Sequence, residues 1–293
     1  MSDRFLQSSD PSSLAAVIDR FFLSINNYVI WIILLLLILA VVAYLTKQLT
    51  IGGVFGAFSL GVVIILSFGF GGLTILLFFV IGAGILSKIN KHNKIYEEAQ
   101  EIQEKNGSRD IIQVFANGGV SFFLGLIYLI SPSPLILIMF GASVAEALSD
   151  TFAGEVGMLT KGKTVSILTG KPVKPGLSGG VSIEGTLASL IGSFLIATMW
   201  YSTYFNPSIR TVSFVAIVTL AGFLGALIDS VLGITIQAHY YDEDKDKIVE
   251  KEFVNGKKLP LVKGLRIINN DKVNFISNLF SVVFVALFYK ILV

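Results

Sequence analysis

The 293-residue sequence has no cysteine, two histidines and few charges. Without cysteine there is no disulfide, no thiolate metal site and no cysteine nucleophile. His92 and His239 alone cannot build a histidine-rich metal centre. Charged residues are 14% of the chain, well short of the roughly one quarter found in soluble domains. The formal net charge of +2 is too small to suggest nucleic-acid binding. Residues 1–20 lack the charged-then-apolar order of a signal peptide, so the first long apolar run reads as a retained span.

What the chain does have is apolar surface: 54% of its residues are hydrophobic. A water-soluble globule of this length has too little interior to hide that much, whereas a bilayer solvates it. A crossing needs about 20 mostly apolar residues. Eight segments meet or approach that length: Tyr28–Leu45, Thr50–Ser67, Gly72–Ser87, Ile111–Ile130, Pro134–Ser149, Ser182–Tyr201, Thr211–Gln237 and Val273–Val293. The pattern predicts an all-α transmembrane bundle of about eight spans, a single domain over 28–293 after a polar N-terminal segment, 1–27. The third and fifth segments are short. The fifth reads as a candidate broken helix, whose boundary residues would line a cavity.

Lys and Arg are distributed unevenly over the connections. Arg4, Arg20, Arg210 and Lys290 fall on one side, and the rest of the 22 fall on the other, chiefly in the loops 88–110, 150–181 and 238–272. The positive-inside rule places those loops in the cytoplasm and both termini outside. Loop 88–110 reads as a mixed-charge helical extension. Within 238–272, Asn255-Gly256 is a turn signal, and a hairpin pairing Lys247–Phe253 with Lys258–Val262 is expected.

Acids in or beside apolar segments are costly and usually face the protein interior. Here they are Glu146, Asp150, Glu155, Glu184 and Asp229. Each is a candidate for catalysis or metal binding, or for an ion pair that only fixes packing. Lys171 to Ser182 combines two lysines, two prolines, three glycines and two serines before a span. Ser178, Gly179 and Gly180 could bring backbone N–H groups to a phosphate, with Lys171 and Lys174 supplying charge. A Gly-Pro turn with snorkelling lysines is the alternative. Asn117 is a helix cap or a ligand contact. Asn270, Asn274 and Asn278 recur every fourth residue and form an amide stripe on one helix face. Carboxylates and amides suit Mg²⁺ shared with substrate phosphates. Together with apolar helices for a lipid tail, they suit phosphoryl transfer to a membrane-embedded alcohol or phosphate.

At these residues the chain resembles the integral membrane family catalogued as domain of unknown function ninety-two, which includes the plant phytyl-phosphate kinase. The resemblance covers roughly residues 47–293. It is carried by Ser87-Lys88 with Lys94; Arg109-Asp110 with Gln113 through Gly119; Asp150-Thr-Phe-Ala-Gly-Glu155; Lys174-Pro-Gly176 through Ser182; Gly225-Ala226 with Asp229-Ser230; and Asn270-Asp271 with Val273-Asn274 and Ser277-Asn278. Phe152 stands where the family commonly has Trp, Gly154 where it has Ser, and Ser87 where it has Thr. The resemblance implies a kinase that transfers a phosphoryl group from a nucleoside triphosphate, expected to be CTP, to an isoprenyl monophosphate. Asp150, Glu155 and Asp229 would then hold Mg²⁺ or orient the attacking oxygen. Lys88, Lys171 and Lys174 would neutralise phosphates, Ser178, Gly179 and Gly180 would cradle them, and Asn117, Asn274 and Asn278 would orient nucleotide or metal. A prenol kinase, a CDP-lipid-forming cytidylyltransferase and a secondary transporter are the competing readings.

Overall fold

The computed structural model describes residues 28–103, 107–160, 162–206 and 212–292. The N-terminal segment 1–27 lies outside the described residues, as do Arg4, Arg20, Lys105, Lys161 and Arg210 of the charge count. The molecule is mostly helical, and six of its described helices are long and apolar enough to cross a membrane. In chain order the helices are α1 (Tyr28–Leu45), α2 (Ile51–Asn90), α3 (Lys94–Gln100), α4 (Ile111–Ile130), α5 (Pro134–Gly157), α6 (Ile183–Tyr204), α7 (Ser213–Thr235) and α8 (Asn270–Leu292).

The expected second and third spans appear as one 40-residue helical stretch, α2, interrupted only at Gly69 (φ 69, ψ −168). The chain reverses there. Before Gly69, Gly56 packs on Ile111, Leu60 on Gly118, and Ser67 Oγ donates to the Gly125 carbonyl at 2.8 Å. The first half therefore runs beside α4 in the same direction. After Gly69, Gly71 packs on Thr203 of α6, and Asn90 reaches Glu155 at the far end of α5. The second half thus returns to the side where α2 began. Only glycine tolerates such a φ/ψ pair without strain, which lets a single residue join two antiparallel passes.

Helix starts follow local chemistry. Thr50 caps α2 by accepting from Gly53 N at 3.1 Å. Asp110 and Gln113 form a reciprocal capping box at α4. Ser133 precedes Pro134 at the start of α5, and Ser182 caps α6 through Gly185 N. The cap at Asp110 puts Asn117 inside α4 rather than at its end.

Helix α5 is the hub. It packs against α4, α6, α7, α8 and the returning half of α2. Every residue from Phe140 to Ser149 is buried, as expected of a central helix. Small residues let its neighbours approach closely. A Cβ on Gly141 would lie 2.9 Å from the Trp200 ring, and one on Gly222 would lie 2.9 Å from Ala145 Cβ. The fifth span is not broken. It is continuous to Gly157, so Asp150 and Glu155 stand on the helix, and the loop expected from 150 begins at Met158. Apolar side chains on the outer surface, such as Phe55, Phe123, Leu187 and Leu287, remain exposed for lipid.

Small sheets decorate the face where the long loops gather. Strand β1 (Val165–Ser166) pairs antiparallel with β2 (Gly180–Val181), returning the glycine-rich segment to α6. Strand β3 (His239–Asp242) is central between β4 (Lys247–Val249) and β7 (Leu261–Lys263), both antiparallel to it. Strands β5 (Phe253–Val254) and β6 (Lys257–Lys258) form a hairpin around Asn255-Gly256. The turn was expected, but the longer Lys247–Val262 pairing is replaced. Tyr240 sits opposite Val249, and burying both with Ala238 and Leu259 selects the other register. Lys245 and Lys247 grip Glu101 at 2.8 and 2.9 Å, fastening this sheet to the segment after α3. Their hydrogen bonds and charge hold the Glu101 carboxyl down at about 2.

Gly69→Ala should destabilise the protein by about 1–3 kcal/mol, the usual cost of a non-glycine residue in that backbone region. Gly84→Ala, where an added Cβ meets nothing within 4 Å, should change little. Thermal melts in detergent read both, and equal melts would contradict the reversal at Gly69.

Candidate functional site

The loop-side ends of α4, α5, α7 and α8 enclose a cavity of about 290 Å³, roofed by residues 176–182 and by Glu250. Asn117, Asp150, Glu155, Asp229, Asn270, Asp271 and Asn274 line it. Polar residues from four separate helices therefore meet at one membrane edge.

One wall is acidic. Asp150 of α5 and Asp229 of α7 face the cavity, with Glu146 buried one turn beneath Asp150. Their charges repel one another. Helix α8 answers them with donors. Ser277 Oγ lies 2.7 Å from Glu146 Oε1 and 3.2 Å from Asp229 Oδ2, bridging the two carboxylates. Asn278 Nδ2 donates to Glu146 Oε2 and to the Ser143 carbonyl. The Asn274 amide, turned so that both its ends are satisfied, donates to Asp229 Oδ2 at 3.1 Å and to the Asn270 carbonyl at 3.0 Å. Asp150 differs from the others: among the described residues its carboxylate has no hydrogen bond or ion pair.

The opposite wall holds Glu155. Five positions along a helix turn a side chain through about 140°, so Glu155 points away from Asp150. Asn90 Nδ2 donates to its Oε2 and to its backbone carbonyl, both at 3.0 Å. Tyr96 lies beside this carboxylate, and Ser87 Oγ and Gln100 Nε2 lie 3.3 and 2.7 Å from the Tyr96 hydroxyl. Burial foremost raises the Tyr96 hydroxyl to about 12, so it remains a donor. Asp150, Glu155 and Asp229 line one cavity but do not form one cluster. Among the described residues no three acids or histidines gather tightly enough to chelate an ion alone. A Mg²⁺ site shared with phosphates needs only one or two protein carboxylates. Asp150 and Asp229 suit that role, because their repulsion is uncompensated and Asp150 is unpartnered.

The glycine segment is built differently from a phosphate cradle. Ser178 N donates to Glu250 Oε1 at 2.8 Å, and Gly180 N donates to the Leu177 carbonyl at 3.0 Å. Gly179 (φ 82) is wedged against α7, where a Cβ would lie 2.3 Å from Ile234 Cβ. Two of the three backbone donors are thus committed within the protein. Lys88, Lys171 and Lys174 are exposed and outside the cavity lining, their charged ends left in solvent. Asn278 lies beneath the cavity rather than in its wall.

Arg109 and Ser277 fall within the motifs that carry the family resemblance but had no role assigned to them, and Glu250 was not singled out. The Ser277-Asn278 pair within an apolar span was the available signal for Ser277. Glu250 sits in a charge-alternating run with nothing to single it out.

The chain matches the profile described as Integral membrane protein DUF92 over residues 34–282. It is 28% identical to Protein PGR of Arabidopsis thaliana over 82% of this chain and 88% of that one. It is 31% identical to an uncharacterized membrane protein of Methanocaldococcus jannaschii, over 69% of this chain and 80% of the other. To Protein VTE6, chloroplastic, of Arabidopsis thaliana it is 31% identical, over 72% of this chain and 62% of that protein. No solved structure matches.

Removing a donor from the acid network should expose its role. Ser277→Ala leaves two buried carboxylates without their shared hydroxyl, and should lower stability by about 1–3 kcal/mol. Glu146→Gln introduced with it should recover part of that loss by removing a charge. Melting of the single and double variants in detergent measures both, and an unchanged Ser277→Ala melt would refute the bridging role.

Proposed function

The chain belongs to the DUF92 family of integral membrane proteins, and on that footing we propose that it is a phosphotransferase acting on an isoprenyl monophosphate. The donor is a nucleoside triphosphate, with CTP the expected one, and the product is the isoprenyl diphosphate. One observation carries this reading: an unpartnered Asp150 beside Asp229, in a polar cavity at the membrane edge of an otherwise apolar bundle. An apolar tail can lie along the helices while its phosphate reaches the acids. The excess of Lys and Arg in the loops of this face supports a cytoplasmic orientation, the side on which nucleotides are found.

Asp150 and Asp229 hold Mg²⁺ in this reading, which supplies neutralisation of phosphate charge. Asn274 fixes the Asp229 carboxylate, and Ser277 ties it to the buried Glu146. An oxygen of the isoprenyl phosphate forms a bond to the γ-phosphorus as the bond from the β–γ bridging oxygen breaks, releasing the nucleoside diphosphate. The attacking oxygen is already anionic, so no general base is required. Catalysis then rests on positioning and charge neutralisation, as is usual in phosphoryl transfer. Glu155, held by Asn90, shapes the far wall.

Purified protein incubated with geranylgeranyl or phytyl phosphate, Mg²⁺ and each nucleoside triphosphate should yield the isoprenyl diphosphate and a nucleoside diphosphate. Pyrophosphate release would indicate a cytidylyltransferase. Turnover of the free alcohol alone would indicate a prenol kinase. Uptake into proteoliposomes without product would indicate a transporter. Asp150→Asn and Asp229→Asn should each lower turnover by about a hundredfold or more, and Asn274→Ala by about tenfold. Asp150→Asn should also melt higher than the unaltered protein, because it removes one of the mutually repelling charges.

A further inference from the structure

The cavity contains a second unsatisfied charge, of opposite sign and on the other wall. Arg109 is the one Lys or Arg that lines it among the described residues. The backbone at this position is pinned. Arg109 N donates to the Gln48 carbonyl at 2.8 Å, and its own carbonyl accepts from Thr50 N at 3.0 Å. Gly53 packs against that carbonyl so closely that a Cβ there would lie 2.3 Å from it. Asp110 then starts α4. The side chain leaves this fixed point into the cavity. Among the described residues the guanidinium forms no hydrogen bond and no ion pair. Burial works against its charge, while Glu155 and Tyr96 act on it only through their fields. The Glu155 oxygen Oε2 is already engaged by Asn90.

Arg109 is partly buried, and its guanidinium, which has no protein partner among the described residues, opens onto the cavity. The flanking backbone is held from both sides, so the fork is presented to a ligand from a fixed point. Guanidinium donors match a phosphate bidentately, which an ammonium cannot do. Lys88, Lys171 and Lys174 are exposed and cannot substitute. We propose that Arg109 is the receptor for a phosphate group of the substrate, set across the cavity from the Asp150–Asp229 wall. The two walls then hold the two ends of the reaction apart: cation and nucleotide at the acids, a phosphate oxyanion at the arginine. This rests on the phosphotransferase reading for the identity of the ligand, but not for the existence of an oxyanion site.

The test is equilibrium binding without turnover, on full-length protein in detergent. Geranylgeranyl phosphate, geranylgeraniol and CTP are titrated separately into wild-type protein, Arg109→Gln, Arg109→Lys and the surface control Lys257→Gln. Arg109→Gln should weaken a phosphate-bearing ligand by about ten- to a hundredfold and leave geranylgeraniol unchanged. A loss confined to geranylgeranyl phosphate assigns Arg109 to the acceptor, and a loss confined to CTP assigns it to the donor. Arg109→Lys should recover only part of the affinity, and it decides the matter if Arg109→Gln does not fold. Unchanged dissociation constants for both phosphate ligands in the folded variant would overturn the proposal, as would failure of both to bind wild-type protein. Arg109-dependent binding without diphosphate product would remove the kinase reading and leave the oxyanion site. Turnover with KM values unmoved by Arg109→Gln would do the reverse.

Discussion

Carboxylates inside an apolar helix bundle set the terms for the rest of this structure. A buried acid must be hydrogen-bonded, paired or bound to a cation, and each unmet demand costs several kcal/mol in a low-dielectric interior. The bundle meets most of these demands from one helix. Ser277, Asn278 and Asn274 of α8 supply donors to Glu146 and Asp229, and Asn90 does the same for Glu155. Two charges are left over, Asp150 and Arg109, and they are not paired with each other. A metal-bound phosphate ligand would satisfy both.

The apolar part of the fold serves that arrangement. Small residues along α5, α6 and α7 bring helix axes close enough for short side chains to reach across, as Gly225 does by admitting the Glu146 methylenes. The reversal at Gly69 returns Asn90 to the same membrane edge as Glu155, so a residue far from α5 in sequence becomes its partner. Above the cavity, Glu101 with Lys245 and Lys247, and Glu250 with Ser178, interlock three loops into a roof. Glu101 is exposed, so its pairs with the lysines are weak links, whereas Glu250 is buried and its bond from Ser178 N is the firmer one.

The helical architecture was legible in the sequence because long apolar runs have few other uses. The spans bounded at Ser67 and Gly72 left the turn between them, and Gly69 makes it. Asp150, Glu155, Asp229, Asn117 and Asn274 were legible as a group because acids and amides are conspicuous beside apolar spans, and all five line the cavity. Their division into two walls was not, since it depends on how α5 is rotated. Lys171 and Lys174 were prominent in the sequence but stay in solvent, and of the nearby glycines Gly179 is wedged against α7. Gly118 to Ser121 and Gly179 to Ser182 look alike as tetrapeptides. The first lies inside α4 and the second joins β2 to the α6 cap, so the likeness has no structural counterpart. Arg109 belongs to a motif of the family resemblance, but its place in the cavity wall and its lack of a partner depend on chain segments remote in sequence.

The central claim is that Asp150 and Asp229 share a divalent cation with a phosphate ligand. Electron paramagnetic resonance of protein-bound Mn²⁺, with a non-hydrolysable nucleoside triphosphate present, reads this directly through hyperfine coupling to phosphorus. The account predicts a bound Mn²⁺ coupled to phosphorus, with the protein-bound signal lost in the Asp150→Asn, Asp229→Asn double variant. A coupled, protein-bound signal that survives removal of both carboxylates would contradict it.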